Sequence, residues 1–468
     1  MPRSSLIQVF FIAALLWQIS DAEAATRFVD GNSGSDAGNC LSTGSPCSTI
    51  GYAINVAGTG DVIDIADAIY TEALEIDRAL SLQGETRAGT IVQAAATRGQ
   101  ASDRTISVAN DVDLQVTDLT IRHGNTGQNG GGLQSIGGDL RIERVTFVDN
   151  DADGLGAGLN SGGNVVVMTD VAFHENGSLA TSNGGGAFLG VNFEPTDVTL
   201  SNVVFANNSA SVGGGLDLVN SRTQASDVVF IGNSVDNNGG GLSYRGSNSV
   251  DSTLAMTNVE FIGNQAANFA GGMYTQFDTP YTLVNGLFSG NLAELGGGIY
   301  NQGGTDGERV LTNVTMSANR ATRRGGAIDR PLDMGFRNTV IWNNRDESGT
   351  GTPEATMDDF FSSSIIEASN SLLQGYRANE FPGSGTLDGT NPANAPQFVT
   401  AVSPVGAPTQ AGNLRLSENS PLIDAGNNGF VTGISFDLDG LTRINGGTVD
   451  LGPYETGNDE LFQDRFEL

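Results

Sequence analysis

The chain has 468 residues, with 53 acidic against 22 basic side chains and a formal net charge of −31. All the basic residues are Arg, and so acidic a surface repels nucleic acid and anionic lipid, which excludes nucleic acid as a partner. The 65 glycines follow no three-residue period and 38% of the residues are hydrophobic in regular patterns, so the chain is neither collagen-like nor disordered.

The chain begins with Arg3 and the apolar run LIQVFFIAALLWQI (6–19), followed by the small residues Ala22 and Ala24. That is the pattern of a secretory signal peptide, too short to span a bilayer, with cleavage expected after Ala24. The mature chain would keep 444 residues (468 − 24) and a charge of −30, since Arg3, Asp21 and Glu23 leave with the leader. No later run is apolar enough to cross a membrane as a helix. Cys40 and Cys47 are the only cysteines, and in an exported chain a disulfide between them is the default expectation.

From residue 118 onward one phrase recurs. Its anchors, at nearly regular intervals, are Phe147, Phe173, Phe205, Phe230, Phe261, Phe288, Met316 and Ile341. Three residues after each anchor stands Asn: 150, 176, 208, 233, 264, 291, 319 and 344. Three residues before stands Asp170, Asn202, Asp227, Asn258, Asn285, Asn313 or Asn338, with Arg144 the one exception. An imperfect earlier unit anchors on Ile121, with Asp118 before it.

Apolar residues two, five and seven places before the anchor alternate with period two, the mark of strand, but the parity slips between five and two. Two short strands joined at a bend explain the slip, because Asn and Asp tolerate the left-handed backbone such a bend needs. Gly clusters at 131, 185, 214, 240, 271, 297 and 325 (Ala157 in one unit) lead into Leu133, Leu159, Leu216, Leu242, Met273, Ile299 and Ile328, a third strand. Three strands and three bends per unit make one coil of a single-stranded, right-handed parallel β-helix. Its coils would stack Phe on Phe inside and Asn on Asn in a turn ladder. MTNVEFIGN (256–264) also fits the leucine-rich-repeat phrase, but the Leu positions that fold needs after the Asn are absent, and propeller blades are longer than these units.

VVFANNSASVGGGL and EFIGNQAANFAGGMY resemble the FxxN and GGA[ILV] repeats of chlamydial-type polymorphic outer membrane proteins. They also resemble bacterial parallel β-helix proteins of the pectate-lyase-like superfamily. The likeness spans residues 118–344. PCSTIGYAINVAGTGDVIDIADAIYTEALEI (46–76) is similar to the entry segment of such helices. There the resemblance implies a short amphipathic helix (Ile50, Ala53, Ile54, Ala57) capping the first coil, whose strand edges would otherwise be open to other chains. SPLIDAGN (420–427), DLDGLTR (437–443) and VDLGPYE (449–455) resemble the choice-of-anchor Q module of secreted bacterial proteins, which implies export but no defined activity.

The organisation expected is a leader (1–24), a cap with the disulfide (25–60) and coils (61–345). After them come an irregular extension with one further coil suggested by SIIEASNSLLQ (346–412), a β-rich closing module (413–456) and an acidic-aromatic tail, LFQDRFEL at its end (457–468). The class is all-β. Chlamydial-type members end in a membrane barrel, for which no amphipathic strands remain here.

Catalytic grammar is sparse. Many β-helix proteins cleave acidic polysaccharides, by elimination with a Lys or Arg base and Ca²⁺, or by hydrolysis with paired carboxylates. Lys is absent. Asp149, Asp151 and Asp153 alternate in a turn, and His123 and His174 fall at different places in their coils. Asp437-x-Asp439-Gly440 has the carboxylate spacing of a calcium loop without the rest of that motif. Arg320, Arg323, Arg324, Arg330, Arg337 and Arg345 crowd into one short stretch and could form a positive strip for an anionic polysaccharide. No catalytic, cofactor or metal residue is assigned, with Ca²⁺ the one cofactor left open. The expectation is a non-catalytic exported module, secreted or at the surface or periplasm of a Gram-negative bacterium, that binds a polysaccharide or cell-surface ligand. A polysaccharide lyase or hydrolase is the alternative.

Overall fold

The computed structural model describes residues 24–190, 194–246, 251–277, 279–304, 307–358 and 364–457. The leader proper and the LFQDRFEL tail lie outside them. Within them the chain is an all-β parallel solenoid of about ten turns.

Each turn is built around one long strand: Leu114–Arg122, Leu140–Val148, Val165–His174, Thr196–Ala206, Ser221–Ile231, Thr253–Ile262, Tyr281–Ser289 and Arg309–Ser317. The two short strands read from the sequence are halves of this one element. They join at a single left-handed residue, at Asp118, Arg144, Asp170, Asn202, Asp227, Asn258, Asn285 and Asn313, with φ between 52° and 55°. That residue flips the parity so that both halves point their apolar side chains inward. Arg144 breaks the sequence pattern but keeps the bend: its guanidinium pairs with Asp118 one turn below (2.6 Å). Elsewhere neighbouring bends bond through their side chains, as in Asn285 Nδ2 to Asn258 Oδ1 and Asn313 Nδ2 to Asn285 Oδ1 (3.0 and 3.1 Å).

Register is strict. Phe147, Phe173, Phe205, Phe230 and Phe261 pair rung on rung up to Phe288, with ring centroids 4.5–5.1 Å apart and every ring fully buried. Each ring removes apolar surface worth roughly 2–3 kcal/mol from water.

Beyond the rings the chain turns at the recurring asparagines. Asn150, Asn176, Asn208, Asn233, Asn264, Asn291, Asn319 and Asn344 are buried. In each step one backbone N–H and the amide Nδ2 of the same Asn both donate to Oδ1 of the next, at 2.8–3.2 Å. Nδ2 also reaches the carbonyl of an anchor in the coil before, such as Phe230 for Asn264 (2.9 Å). The ladder therefore satisfies buried polar atoms that a turn inside the stack would orphan.

After the ladder comes a strand the sequence pattern did not reveal: Ser209–Val212, Ser234–Asn238, Leu292–Leu295 and Arg320–Arg324 are members of a separate seven-stranded sheet. Its inward residues are single small ones, Ala210, Val235, Ala266 and Ala293. One inward apolar residue per strand leaves no alternation to read.

The Gly cluster then leads into the predicted glycine-led strand, one of eleven in its sheet. Gly213 adopts φ +63°, and at Gly215 a Cβ would sit 2.7 Å from the Gly241 carbonyl oxygen, so the coils meet there backbone to backbone.

At the amino-terminal end the helix Ile50–Val56 starts at Thr49, whose hydroxyl accepts from Tyr52 N, and buries Ile50, Ala53 and Ile54 in the core. Cys40 and Cys47 form the expected disulfide. Replacing Cys47 with Ser is expected to lower unfolding stability by about 2–3 kcal/mol, with reductant shifting the wild-type midpoint equally. No shift in either would mean that the hydrogen bonds from Cys47 N to Phe28 O and from Asp30 N to Cys47 O (both 2.8 Å) hold this loop alone.

Past the repeats, Ile366–Ser369 and Leu372–Leu373 add a rung in register on Met334–Arg337 and Val340–Trp342. The extension's Phe398–Thr400 pairs antiparallel with Asn413–Leu416, the one strand of the closing module among the described residues, and that module lies back along the outer flank of the bent strands. Leu414, Leu438 and Tyr454 pack there on Leu287, and Asn427 exchanges hydrogen bonds with Asn338.

Candidate functional site

The sequence candidates do not assemble into one site. Asp149 pairs with Arg98 (2.9 Å), and Asp151 accepts from Ala152 N (3.0 Å) and the Thr181 hydroxyl (3.3 Å). The Asp153 backbone bonds to neighbouring rungs. His174 stands two rungs from Arg122 in one outward column, while His123 lies in the turn beyond Arg122, its Nδ1 3.0 Å from Ala95 O. Burial pulls His174 below its ordinary value.

Asp437 spends both oxygens on backbone N–H groups, those of Asp439, Leu441 and Glu455 (2.8–2.9 Å). Asp439 pairs with Arg415, which lies over the Tyr454 ring (4.5 Å), and Gly440 turns the chain at φ +79°. The pair is a turn lock. Among the described residues no group of three or more His, Cys, Asp or Glu is placed to hold a metal ion.

The six arginines disperse because each coil carries its residues round the whole circumference. Arg320 reaches the Val405 carbonyl, Arg323 pairs with Glu294, and Arg324 approaches Asp329 (3.6 Å). Arg330 covers Tyr300, Arg337 covers Phe430, and Arg345 bonds Thr350. They make no single strip: Arg320 and Arg345 share adjacent rungs, Arg324 and Arg330 lie by the neighbouring rungs of Asp329 and Tyr300, and Arg337 stands over Phe430.

What the structure does gather is a column on the outward side of the glycine-led sheet. Phe188, Asp217, Ser243, Tyr274, Tyr300, Asp329 and Asp358 stack in register, one per rung. Val219, Arg245, Gln276 and Gln302 form the next outward column. On the other side runs a bridge-linked line through Asn183, Val212, Asn238, Phe269 and Leu295.

The middle column is buried although it faces away from the core. Asp217 is held by Arg245 Nε (3.1 Å) and Asn183 Nδ2 (2.7 Å). Burial opposes the charge on Arg245, but Asp217 more than offsets it and raises that group. Tyr300 stacks on Phe269 (4.5 Å), and burial pushes Tyr274, which bonds Gln302, up to about 12. At one end Asp329 and Asp358 occupy adjacent rungs, and Asp346 close by is raised, first by burial and then by Asp358.

Phe277 follows directly on the Gln276 column. It holds φ +66°, a strained conformation for a bulky residue, and leaves 43% of its surface exposed. Its N–H donates to Gln302 O (2.7 Å), and Gly303 lies against its backbone. An exposed aromatic ring next in sequence to a column of guanidinium and amide groups offers the mixed apolar and hydrogen-bonding surface that recognises ligands. The sequence reading missed this face because its signal lies in one column, one residue after each glycine-led aliphatic.

The closing module holds a buried hub of Asp437, Asp450, Glu455 and Arg443, with Arg443 Nη2 3.3 Å from Glu455. Burial pushes Glu455 up to about 8, against the pull of Arg443. A carboxyl raised on folding stabilises fully below its ordinary value and loses that stabilisation as pH climbs through the raised one. Hydrogen-exchange protection of Leu451 and Gly452 should therefore fall between pH 5 and pH 8, and Glu455→Gln should flatten the slope. Protection independent of pH would mean that Glu455 stays ionised beside Arg443.

No protein-family model matches the chain, and no curated protein matches its sequence. Among solved structures it is similar to a pectate lyase, Pel9A, at 14% identity and TM-score 0.43, over 93% of this chain and 98% of that one. It is also similar to a rhamnogalacturonan lyase (14%, TM-score 0.34, 85% and 97% covered). A third is the pectin methylesterase PemA from Erwinia chrysanthemi (16%, TM-score 0.26, 83% and 100% covered).

Proposed function

We propose that this chain is an exported β-helix protein whose glycine-led face binds a polysaccharide or cell-surface glycan without cleaving it. Phe277 carries the reading: a large apolar ring stays exposed next to the Arg245, Gln276 and Gln302 column, at a backbone angle that costs of order 1 kcal/mol or more. Arg245, Gln276 and Gln302 supply donors and acceptors along the rungs beside it. Sugars present both needs, apolar C–H faces and hydroxyls.

Retention of the purified protein in gels containing pectin, alginate or neutral glucans tests this. Phe277→Ala is expected to weaken retention by the best of these about tenfold, with the unfolding midpoint preserved. Wild-type protein that no glycan retards would end the proposal.

A hydrolytic second reading is favoured by one observation, the adjacent rungs of Asp329 and Asp358 with Asp346 beside them, because paired carboxylates are what glycoside hydrolysis uses. Release of reducing ends from the retained glycan, lost in Asp358→Asn, would establish it.

Export to the surface, periplasm or medium of a Gram-negative bacterium belongs to the same proposal. So does kinship of residues 118–344 with polymorphic outer membrane protein repeats and of residues 413–456 with the choice-of-anchor Q module. Ala25 N donates to Asp61 Oδ1 (2.8 Å), so cleavage after Ala24 would set a new ammonium group against a carboxylate. Amino-terminal sequencing of exported protein should begin at Ala25.

A further inference from the structure

Inside the coil, at the start of the long strand Arg309–Ser317, Arg309 is fully buried. Its Nη1 donates to the carbonyls of Gly307 (2.8 Å) and Leu332 (2.9 Å). Nε and Nη2 have no hydrogen-bond partner, and among the described residues no carboxylate pairs with it. The rungs on either side offer Tyr281 and Met334, neither of them anionic at neutral pH. The Tyr281 hydroxyl donates to Asn301 Oδ1 (3.2 Å), which takes the Thr275 hydroxyl as well (2.8 Å), and it takes no hydrogen bond from Arg309 Nε or Nη2.

A guanidinium carries five N–H groups. Nη1 supplies two, both used here. Of the remaining three, Nε–H and one Nη2–H lie along the Nε–Nη2 edge, the edge that holds an anion by two parallel hydrogen bonds. Burying a cation without a counter-charge costs several kcal/mol even after relaxation. Partial neutralisation by two carbonyl dipoles leaves the charge in place, and an Arg cannot shed its proton to escape. Solvent does not reach the group, so a counter-ion there would be small and taken up as the coil closes.

We infer that the Nε–Nη2 edge of Arg309 is a binding site for a small monovalent anion, with chloride the species available to an exported protein. The ion is a structural one. It would tie the turn at Gly307 to the turn at Leu332, beneath the glycine-led face but apart from the side chains proposed to meet a glycan.

Two measurements decide it. In crystals grown from sodium bromide, an anomalous difference peak should lie within hydrogen-bonding reach of both Arg309 Nε and Nη2. Its absence, or a chain carboxylate seated on that edge, would overturn the inference. In solution, replacing gluconate by chloride at fixed ionic strength should raise the wild-type melting temperature by roughly 2 °C per tenfold increase in chloride. The Arg309→Met variant should show no such rise. A wild-type protein indifferent to chloride, or a variant with the same response, counts against the site. Should Arg309→Met fail to fold, the wild-type titration and the bromide map still give the answer. Neither measurement involves a glycan, so failure of the glycan reading leaves this test untouched.

Discussion

Replacing Asn264 with Ala in the middle of the ladder is expected to lower unfolding stability by about 4 kcal/mol, because several buried groups lose their partners at once. The loss is not a single hydrogen bond. Asn264 Oδ1 accepts from both N and Nδ2 of Asn233 (3.0 and 2.9 Å), and its Nδ2 donates to Phe230 O and Asn291 Oδ1 (2.9 and 3.0 Å). The side chain is fully buried, so water cannot stand in for it. Each group left unsatisfied costs roughly 1–3 kcal/mol, and neighbouring losses do not add fully. Chemical denaturation followed by circular dichroism measures the change, with the exposed outward Gln224→Ala as a control expected within about 0.5 kcal/mol of wild type. If Asn264→Ala behaved like the control, the asparagine column would be decoration.

Phe230→Ala should cost as much or more. Removing a buried Phe costs roughly 3–5 kcal/mol, because the rigid walls leave a cavity. Here two stacking contacts go as well, with Phe205 (5.1 Å) and Phe261 (4.8 Å), each adding about 0.5–1.5 kcal/mol. Phe288 ends the column against Met316 and stacks on Phe261 alone, so Phe288→Ala should be milder by about 1 kcal/mol. The ordering of the two variants is the informative result. Equal losses would mean that the rings contribute by volume only, and a loss at Phe230 no larger than that of the exposed control would place the ring outside the core.

The scaffold was legible because every coil repeats the same physical problem. Apolar alternation named the strands, the parity slip named the bend, and the asparagine phase named the ladder. Arg144 looked like a defect in the pattern, yet it takes the same left-handed angle as its neighbours and is compensated by Asp118 in the next rung. The small sheet through Ser209–Val212 escaped notice because Ala210 is its one inward residue, too little for a period. The Arg crowding between 320 and 345 misled for a geometric reason. A single coil circles the whole body, so neighbours in sequence such as Arg330 and Arg337 part, one over Tyr300 and the other over Phe430. Conversely, Asp217, Tyr274 and Tyr300 share a face though whole coils of chain separate them. A surface site on a solenoid is written down the columns, and the sequence was read along the rows.

Arg309 teaches a related point. Nothing in its local sequence distinguishes it from surface arginines, and only its placement at the buried start of a long strand exposes the unpaired charge.

The central claim is the vertical registration of the coils, and a spin-label distance tests it most directly. Gln115, Arg141, Val167, Thr199, Gln224, Ala255 and Thr282 form one outward column, six rungs from first to last. At about 4.8 Å per rung, nitroxides at Gln115 and Thr282 should lie ~29 Å apart, and moving the first label to Arg141 should shorten the distance by about 5 Å. A broad distribution, or a separation unchanged by that one-rung move, would contradict the fold from which every other statement follows.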